Sequence, residues 1–420
     1  MKIGAALIVR NEERCLRRCL ESLREVADEI VAADTGSTDG TPAIAREFSD
    51  RFLSIPWQDD FATARNAVLD RVEGDYVLAI DADEWVTHPL DARQRLDAFV
   101  ATHTPDTIGS IEIRNAVHTI SGPGEVILHA PRFFAREHFR YTGAIHEQLL
   151  ALQGGRHIET TGVIFGHSGY AQDPCDPAHK SHRNKRILLK EIAQHPNDEY
   201  CWFQLGKACF ALRAYADAIA AFERALAIIR FEPGAPPMGL HGPVAADVLA
   251  DLLSSVAYAY ANNGGLDSAV DTLEAHRALG HPGVAFADVS HALGYAYLMR
   301  GDVPRARAAY EEALRWGASR EQVVGTGSFA SYYHLGLLAE AVDDVPRAVA
   351  HYLEALRLNP AYRPAIARCL DLTVERPGCL PEDWRQCADP DVLRAELEQR
   401  QNVKEEGGAV ALHLREERKV

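Results

Sequence analysis

The sequence predicts an α/β domain followed by an all-α domain. Up to about residue 170, short β-rich runs alternate with stretches of helical periodicity, a pattern typical of a mostly parallel sheet flanked by helices. After about residue 196 the periodicity is helical, and one short pattern of small and aromatic residues recurs. The 420 residues leave room for two or three domains. We expect an α/β domain over 1–195, a helical-repeat domain over 196–375 and a helical, polar tail over 376–420.

Composition and charge exclude several classes of protein. The formal net charge of −16 argues against a general nucleic-acid binder, which needs a basic footprint. No apolar run approaches the roughly 18 residues of a membrane span, and the first residues do not form a secretory signal, so we expect a cytoplasmic protein. The eight cysteines contain no CxxC pair and are expected to be free thiols.

The first half contains six candidate strands. Leu16, Leu20 and Leu23 recur at helical spacing between the first two of them, which predicts a strand, helix, strand unit in the first 34 residues. The candidate strands are 2–9, 28–34, 52–55, 76–81, 109–117 and 127–134.

The fourth strand runs into three carboxylates, in the sequence YVLAIDADEWV at 76–86. Repulsion among Asp81, Asp83 and Glu84 costs roughly 1 kcal/mol per close pair even in water, so a positive partner is expected. A solvated turn and an acidic helix N-terminus are the alternatives. We expect Asp81 and Asp83 to lie on the same side of an extended segment, where they would form a site for Mg²⁺ or Mn²⁺.

A second polar loop follows the second strand, with the sequence ADTGSTDGT at 33–41. Open α/β sheets bind ligands at the carboxyl ends of their strands, so this loop and the acidic stretch are expected to face one crevice. Alternatively, Asp39 or Thr41 caps the helix that begins near Pro42. Capping and ligand binding are compatible.

The second half repeats one pattern at identical offsets. Small residues at the Gly and Ala positions allow paired helices to approach closely, while an aromatic residue fills the space between them. The copies are Leu205, Gly206, Ala218, Phe222 and Ala225; Leu293, Gly294, Ala306, Tyr310 and Ala313; Leu335, Gly336, Ala348, Tyr352 and Ala355; and a weaker copy at Ala257, Ala269 and Leu273. This half resembles the tetratricopeptide family, whose arrays bind partners and also mediate self-association; an unrelated helical bundle is the alternative.

Four motifs in the first half occur in an order and spacing that resemble the family 2 glycosyltransferases. They are IVRNEE at 8–13, ADTGSTDGT at 33–41, FATARNAVLD at 61–70 and IDADE at 80–84. The resemblance covers roughly the first 170 residues. Together with the repeats, the chain is similar to the branch that contains the sublancin-type peptide S-glycosyltransferases. The resemblance implies a GT-A (Rossmann-like) fold, a nucleoside-diphosphate sugar donor and an inverting transfer in one displacement.

The same resemblance implies roles for individual residues. Asp34 corresponds to the carboxylate that binds the uracil ring, and Arg65 to the arginine that reaches the nucleotide and its diphosphate. Asp81 corresponds to the aspartate near the ribose and metal, and Asp83 to the metal ligand. The nucleotide-binding candidates are completed by Val9, Asn11, Glu13 and Ala82, although Glu13 is also compatible with a solvated helix position.

Two later motifs supply candidates for the general base and the remaining metal ligand. They are YTGAIHE at 141–147 and GHSGY at 166–170. The resemblance implies a carboxylate base in the later part of the domain and a metal ligand from beyond the last strand, so we assign Glu147 as the base and His167 as the third metal ligand. His146 could exchange roles with either. The alternative is that His146 and His167 are ordinary core or loop histidines. Arg132 is a candidate phosphate contact or a surface residue.

The sequence therefore predicts a hexosyltransferase that depends on Mn²⁺ or Mg²⁺ and transfers a sugar, by default glucose, from a UDP-sugar. A peptide or protein acceptor held by the repeats is expected. A cell-envelope saccharide acceptor is the first alternative, and a non-catalytic scaffold is the second. A sugar nucleotidyltransferase would need a glycine-rich phosphate loop where this chain has Arg10-Asn11-Glu12-Glu13.

Overall fold

The computed structural model describes residues 1–119, 122–155, 157–167, 177–232, 235–240 and 242–400, with the backbone alone described at 115–119, 122–127 and 177–179. The chain divides into two compact units, one built mainly on residues 1–118 and 123–191 and the other on the residues from Ile192 onward. Ser168, Gly169 and Tyr170 of the second candidate motif, and residues 401–420 of the expected tail, lie outside the described residues. Within the described ranges, no helix is long and apolar enough to cross a membrane.

The first unit is a sheet with helices packed against it. Its helices are α1 (Leu16–Leu23), α2 (Thr41–Phe48), α3 (Phe61–Leu69), α4 (Pro89–Thr102) and α5 (Pro177–Gln194). Its strands are β1 (Ile3–Val9), β2 (Glu29–Asp34), β3 (Arg51–Ser54), β4 (Tyr76–Ala79), β5 (Glu84–Val86), β6 (Thr107–Thr119), β7 (Gly122–Ala135), β8 (Phe139–Thr142), β9 (Gln148–Ala151) and β10 (His157–His167).

Eight of these strands form one sheet in the order β3-β2-β1-β4-β7-β6-β10-β5. The first four are parallel to one another, β7 is antiparallel to β4, and β5 is antiparallel to β10. β6 and β10 also pair in parallel, so four of the seven neighbouring pairs are parallel, as expected, but the antiparallel pairs make the whole sheet mixed.

All six predicted strands are present, and α1 lies where the leucine spacing predicts it. Leu16, Leu20 and Leu23 are fully buried against the sheet, beside β-strand residues such as Leu7. The sequence interpretation missed β5, β8, β9 and β10. Three of these have only three or four residues, which is too short for a periodic pattern to be recognised.

The arrangement of β1, β2 and β4 positions the candidate site. Val9 and Asp34 are paired partners at the carboxyl ends of β1 and β2, and β4 runs parallel to β1 on its other side. The loops after all three strands therefore emerge at the same edge of the sheet. That edge carries both polar stretches recognised in the sequence.

The second unit consists of consecutive helix pairs. In its described part, α6 packs on α7, α8 on α9, α10 on α11 and α12 on α13, and α14 packs on the last pair. The helices are α6 (Glu199–Ala211), α7 (Tyr215–Ile228), α8 (Ala246–Asn262), α9 (Leu266–Ala278), α10 (Ala287–Met299), α11 (Val303–Trp316), α12 (Phe329–Ala341), α13 (Val345–Leu358) and α14 (Arg363–Glu375). The Pro/Gly-rich segment between the first two pairs contains the short strands β11 (Met238–Gly239) and β12 (Gly242–Pro243).

Each strong copy of the repeat shows the predicted contact between a glycine and an aromatic ring. A Cβ atom on Gly206 would lie 2.4 Å from the ring of Phe222, and the corresponding distances are 2.9 Å for Gly294 and Tyr310 and 2.3 Å for Gly336 and Tyr352. The three rings are fully buried. Glycine at these positions is thus explained by the close approach of the paired helices.

Candidate active site

A large open cavity of about 1690 Å³ lies at the carboxyl edge of the first unit's sheet. Its volume exceeds the roughly 300–1,000 Å³ of an ordinary small-molecule site, so it has room for a nucleotide sugar and part of an acceptor. Eight of the predicted site residues line it: Val9, Asn11, Glu13, Arg65, Asp81, Ala82, Asp83 and His167. Asp34, His146 and Glu147 are absent from its lining.

The loop after β2 is folded around the loop after β1. Asp34 is buried at the end of β2 and accepts hydrogen bonds from the backbone N–H groups of Gly36 (3.1 Å) and Ser37 (3.2 Å). Asn11 has a positive φ of 57° and accepts a hydrogen bond from Thr38 N at 2.8 Å. These contacts preorganise the two loops as one wall of the cavity.

Glu13 and Asp39 complete this wall. Glu13 lies before α1 and accepts a hydrogen bond from Gly40 N at 2.9 Å, so its side chain ties the two loops together. Asp39 accepts from Thr41 N at 3.0 Å, while the N-cap residue of α2 is Gly40, which has no capping side chain. The capping alternative for Asp39 is therefore met only in part, as a turn that leads into α2.

Asp81 lies between two arginines. Arg65 Nη2 donates to Asp81 Oδ1 at 2.7 Å, and Arg132 Nη2 donates to Asp81 Oδ2 at 2.5 Å. Arg65 Nε also donates to Glu147 Oε1 at 2.6 Å, and Arg132 Nη2 reaches Glu84 Oε1 at 3.3 Å. Glu147, Arg65, Asp81, Arg132 and Glu84 thus form a row of alternating charges, which we call the charge chain. The arginines compensate the repulsion among the carboxylates, for which the sequence predicted a positive partner.

The charge chain sets the protonation of its carboxylates. Burial alone would raise the pKa of Asp81, but Arg132 and Arg65 outweigh it and hold that pKa well below its usual range. Burial raises the pKa of Glu84 to about 7; Arg132 opposes this rise, and the neighbouring Asp81 adds to it. Asp81 is consequently a permanent anion, whereas Glu84 titrates close to neutral pH.

Asp83 and Asp81 have different partners. Glu84 N donates to Asp81 O at 3.0 Å, so residues 81–84 form a turn, and the expectation that both aspartates lie on one side of an extended segment is wrong. Asp83 Oδ2 instead lies 2.9 Å from His167 Nε2. Among the described residues, no group of three or more His, Cys, Asp or Glu side chains is placed to hold a metal ion, so Asp81 does not join Asp83 and His167 as a third ligand.

Asp83 and His167 nevertheless suit a hard divalent cation. Neighbouring corners of an octahedron with ligands at about 2.1 Å are about 3.0 Å apart, which is close to the 2.9 Å between their nearest atoms. A cation such as Mg²⁺ ordinarily takes only one or two protein ligands and fills its other positions with water and substrate phosphate oxygens. His167 Nδ1 is buried and has no hydrogen-bond partner in the described part of the chain.

The hydrogen bond with Asp83 raises the pKa of His167, with burial opposing the rise. A cation held by both side chains would have to displace the proton that this hydrogen bond favours on His167.

Glu147 and His146 lie in the turn of the β8–β9 hairpin. Phe61 N donates to Ala144 O at 2.8 Å, which anchors this turn to the start of α3. His146 is exposed and has a positive φ of 53°, whereas the Glu147 side chain is only 14% exposed and contacts Arg65. The two neighbours are thus in different environments, and Glu147 is directly linked to Arg65.

Arg132 is not a surface residue, which was one of the two sequence interpretations, and its contact with phosphate stays a prediction. Its side chain is 15% exposed and pairs with Asp81 and Glu84. Its position in β7, which pairs antiparallel with β4, brings it beside Asp81 across 51 residues of sequence. No local sequence pattern predicts a contact between residues so far apart. The carboxylates of Asp81 and Glu84, which flank Asp83, did predict that a positive partner lies nearby.

The comparison with known proteins places this geometry in a family. The sequence profile described as "Glycosyl transferase family 2" matches residues 5–151, and the profile described as "Tetratricopeptide repeat" matches residues 200–231. A TPR repeat-containing protein of Synechococcus elongatus is 30% identical over 330 residues, which cover 74% of this chain and 75% of that protein.

Two bacterial glycosyltransferases are also similar. The SPbeta prophage-derived glycosyltransferase SunS of Bacillus subtilis is 34% identical over 221 residues, covering 52% of this chain and 51% of SunS. The lipopolysaccharide core biosynthesis glycosyltransferase LpsC of Rhizobium meliloti is 38% identical over 89 residues, covering 20% of this chain and 32% of LpsC. This chain therefore spans about half the length of SunS and about a third of LpsC.

Solved structures resemble separate parts of the chain. A crystal structure of MamA has 20% identity and a TM-score of 0.32, covering 44% of this chain and 95% of that one. Glucosyl-3-phosphoglycerate synthase from Mycobacterium tuberculosis has 26% identity and a TM-score of 0.24, covering 27% of this chain and 44% of that one.

The α/β fold, the loops at the carboxyl ends of its strands and the profile match define a glycosyltransferase with a GT-A domain. The chain belongs to the family 2 glycosyltransferases, in the group that carries tetratricopeptide repeats after the transferase domain. Its sequence resemblance to both families is thereby confirmed.

Proposed function

We propose that this protein is a metal-dependent, inverting glycosyltransferase that moves a sugar, by default glucose, from a UDP-sugar to a peptide or protein side chain. The observation that carries the proposal is the pair formed by Asp83 and His167, which lines the same cavity as Asn11 and Glu13. We also propose that the transferase part ends near residue 195 and that residues 196–375 act as the acceptor-binding part.

The donor would lie across the carboxyl edge of the sheet. Val9, Asn11, Glu13, Asp34 and Ala82 would surround the nucleoside, with the buried Asp34 holding the shape of the loop as well as approaching the base. Arg65 lines the cavity and would face the diphosphate, but its contacts with Asp81 and Glu147 give it a second task. We assign Asp81 as the anion that holds both arginines in place.

Asp83 and His167 would hold Mn²⁺ or Mg²⁺, and the bound cation would stabilise the negative charge that develops on the departing diphosphate. Water and diphosphate oxygens would fill the remaining positions.

Glu147 is the proposed general base. The acceptor atom would attack C1 of the sugar while the bond from C1 to the diphosphate oxygen breaks, and Glu147 would take the acceptor's proton. Its hydrogen bond to Arg65 lowers the availability of one carboxylate oxygen, so the proton would go to the other. His146, exposed in the same turn, would contact the acceptor without carrying the proton.

The repeats support a peptide or protein acceptor, because helical arrays of this kind commonly hold extended chains. The similarity to LpsC favours a second candidate, a cell-envelope saccharide acceptor.

Titration calorimetry of the full chain tests the donor and the metal. UDP-glucose, UDP-GlcNAc, UDP-galactose and GDP-mannose would each be titrated with and without Mn²⁺, into the wild type and Asp83→Asn. We expect Mn²⁺-dependent binding of a UDP-sugar that Asp83→Asn loses. Equal binding by the variant, or binding that ignores Mn²⁺, would contradict the metal assignment.

A chain ending after residue 195, checked for folding by circular dichroism, tests the role of the repeats. We expect it to retain hydrolysis of the UDP-sugar and to lose transfer to a peptide. Retained peptide transfer would show that the repeats do not hold the acceptor.

A further inference from the structure

Trp85 links three elements that surround the candidate site without itself lining the cavity. It lies in β5, where its cross-strand partner is Gly166 of the antiparallel strand β10. The guanidinium carbon of Arg18, in α1, lies 3.3 Å from the centre of the Trp85 ring. The indole is therefore held between the backbone of β10 and a cation of α1.

The indole of Trp85 occupies the space that a side chain at position 166 would need. A Cβ atom on Gly166 would lie 2.3 Å from the ring carbons Cε2 and Cζ2 of Trp85, so close that the indole or the backbone of β10 would have to shift. An aromatic side chain that covers a glycine on the neighbouring strand is a known means of stabilising a cross-strand pair that lacks one side chain. The contact thus couples β5 to β10.

This coupling matters because β5 is a three-residue edge strand. Its ladder with β10 has three pairs, of Val86 with Phe165, Trp85 with Gly166 and Glu84 with His167. Thr87 adds hydrogen bonds from N and Oγ1 to Ile164 O at 3.2 and 3.0 Å. So short a ladder is marginal by itself, and side-chain packing has to stabilise it.

Asp83 and His167 are placed by these same two strands. Asp83 directly precedes β5, and His167 is the last residue of β10. The 2.9 Å between Oδ2 and Nε2 therefore depends on how closely β5 lies against β10 at their common end. Loosening the Trp85 contact would let the two side chains separate.

We propose that Trp85, packed between Gly166 and Arg18, is a positioning residue that fixes the Asp83 and His167 pair at the spacing a divalent cation needs. The inference rests on the proposed function, because it assigns the cation to that pair. Groups that orient metal ligands typically change metal affinity by 10- to 100-fold when mutated. Trp85 belongs to this kind of group, although it acts through packing and not through a hydrogen bond to a ligand.

Mn²⁺ binding to the full chain tests the inference, with free Mn²⁺ followed by electron paramagnetic resonance. We expect Trp85→Ala to weaken Mn²⁺ binding by about 10- to 100-fold. Trp85→Phe should restore most of the affinity, because a phenyl ring still covers Gly166. Circular dichroism would show that each variant remains folded.

Two further comparisons separate positioning from a general loss of stability. Gly166→Ala should weaken Mn²⁺ binding as strongly as Trp85→Ala does. In a chain that already carries Trp85→Ala, Gly166→Ala should weaken it little further, because no indole ring then occupies the space beside residue 166. Arg18→Ala should weaken binding, whereas its neighbour Arg17→Ala should not, since Arg17 lies 4.5 Å from the ring of Phe48 and pairs with Glu47. Trp202→Ala, in the second unit, controls for loss of a tryptophan.

If the wild type binds Mn²⁺ and both Trp85→Ala and Gly166→Ala bind it with the same affinity, this inference is overturned and the proposed function stands. A wild type that binds no Mn²⁺ would overturn the metal assignment and this inference with it. Equal weakening by Trp202→Ala or Arg17→Ala would also overturn the positioning role.

Discussion

Arg65 Nε and Glu147 Oε1 are joined by a hydrogen bond of 2.6 Å across 82 residues of sequence. The contact connects α3 to the β8–β9 turn. It holds the carboxylate that we propose as the base beside an arginine that also contacts Asp81.

Glu147→Gln tests the base. Glutamine can still accept the hydrogen bond from Arg65, so the fold and donor binding should be retained, but it cannot take a proton. We expect kcat for transfer to fall by about 100- to 10,000-fold with little change in the Kd of the UDP-sugar. Steady-state kinetics and calorimetry would measure the two quantities. Glu159→Gln, exposed on β10, serves as the control, and a kcat that Glu147→Gln leaves unchanged would assign the base elsewhere.

Asp81→Asn and Asp83→Asn should separate stability from cation binding. Asp81→Asn leaves Arg65 and Arg132 facing each other without their shared anion, and Arg132 is only 15% exposed. Losing one partner of a fully buried ion pair costs about 3–5 kcal/mol. The Asp81 side chain is 36% exposed, so we expect a loss of roughly 2–3 kcal/mol in the free energy of unfolding.

Asp83→Asn should leave the free energy of unfolding nearly unchanged and abolish Mn²⁺ binding. Urea titrations of both variants would give the stabilities. Equal destabilisation by the two substitutions would argue that the aspartates share one role.

Gly206→Ala should destabilise the second unit. The added methyl group would lie 2.4 Å from the ring of Phe222, which is fully buried, so the paired helices have to separate. Overpacking of this kind typically costs about 1–3 kcal/mol, measured by urea titration followed by circular dichroism. In a Phe222→Leu background the same substitution should cost much less. Ala220→Leu, exposed on α7, controls for added bulk, and an equal cost in both backgrounds would contradict the steric explanation.

His276 and His281 predict a loss of stability in acid. Burial, followed by the neighbouring His281, lowers the pKa of His276 to about 4, and burial lowers the pKa of His281. Their Nδ1 atoms are 2.8 Å apart, so one donates to the other. Between the unfolded pKa of about 6.5 and the folded pKa near 4, the unfolded chain binds more protons than the folded one, so stability falls as pH falls through this range.

Urea titrations at several pH values between 4 and 7 would measure this dependence. His276→Phe should reduce the slope by up to about 1.4 kcal/mol per pH unit. His157→Phe, at an exposed position on β10, serves as the control. A slope that His276→Phe does not change would exclude this residue as a cause.

Local patterns were sufficient for much of the fold. The leucines of α1, the six predicted strands and the repeated glycine and aromatic positions all lie where their spacing predicts, because periodicity reports which face of an element is buried. The very short β5, β8 and β9 have no such periodicity, and with them the hairpin turn of Glu147 and the strand that carries Trp85 were missed.

By itself, the sequence determined the class of protein, the order of the two parts and eight of the residues that line the cavity, since motif order and residue type are properties of the chain. Only the tertiary structure decided which side chains meet. Asp81 and Asp83 are two residues apart, yet one contacts Arg65 and Arg132 and the other contacts His167. A single turn at residues 81–84 separates them, and the partners come from strands and helices that only the folded sheet brings together.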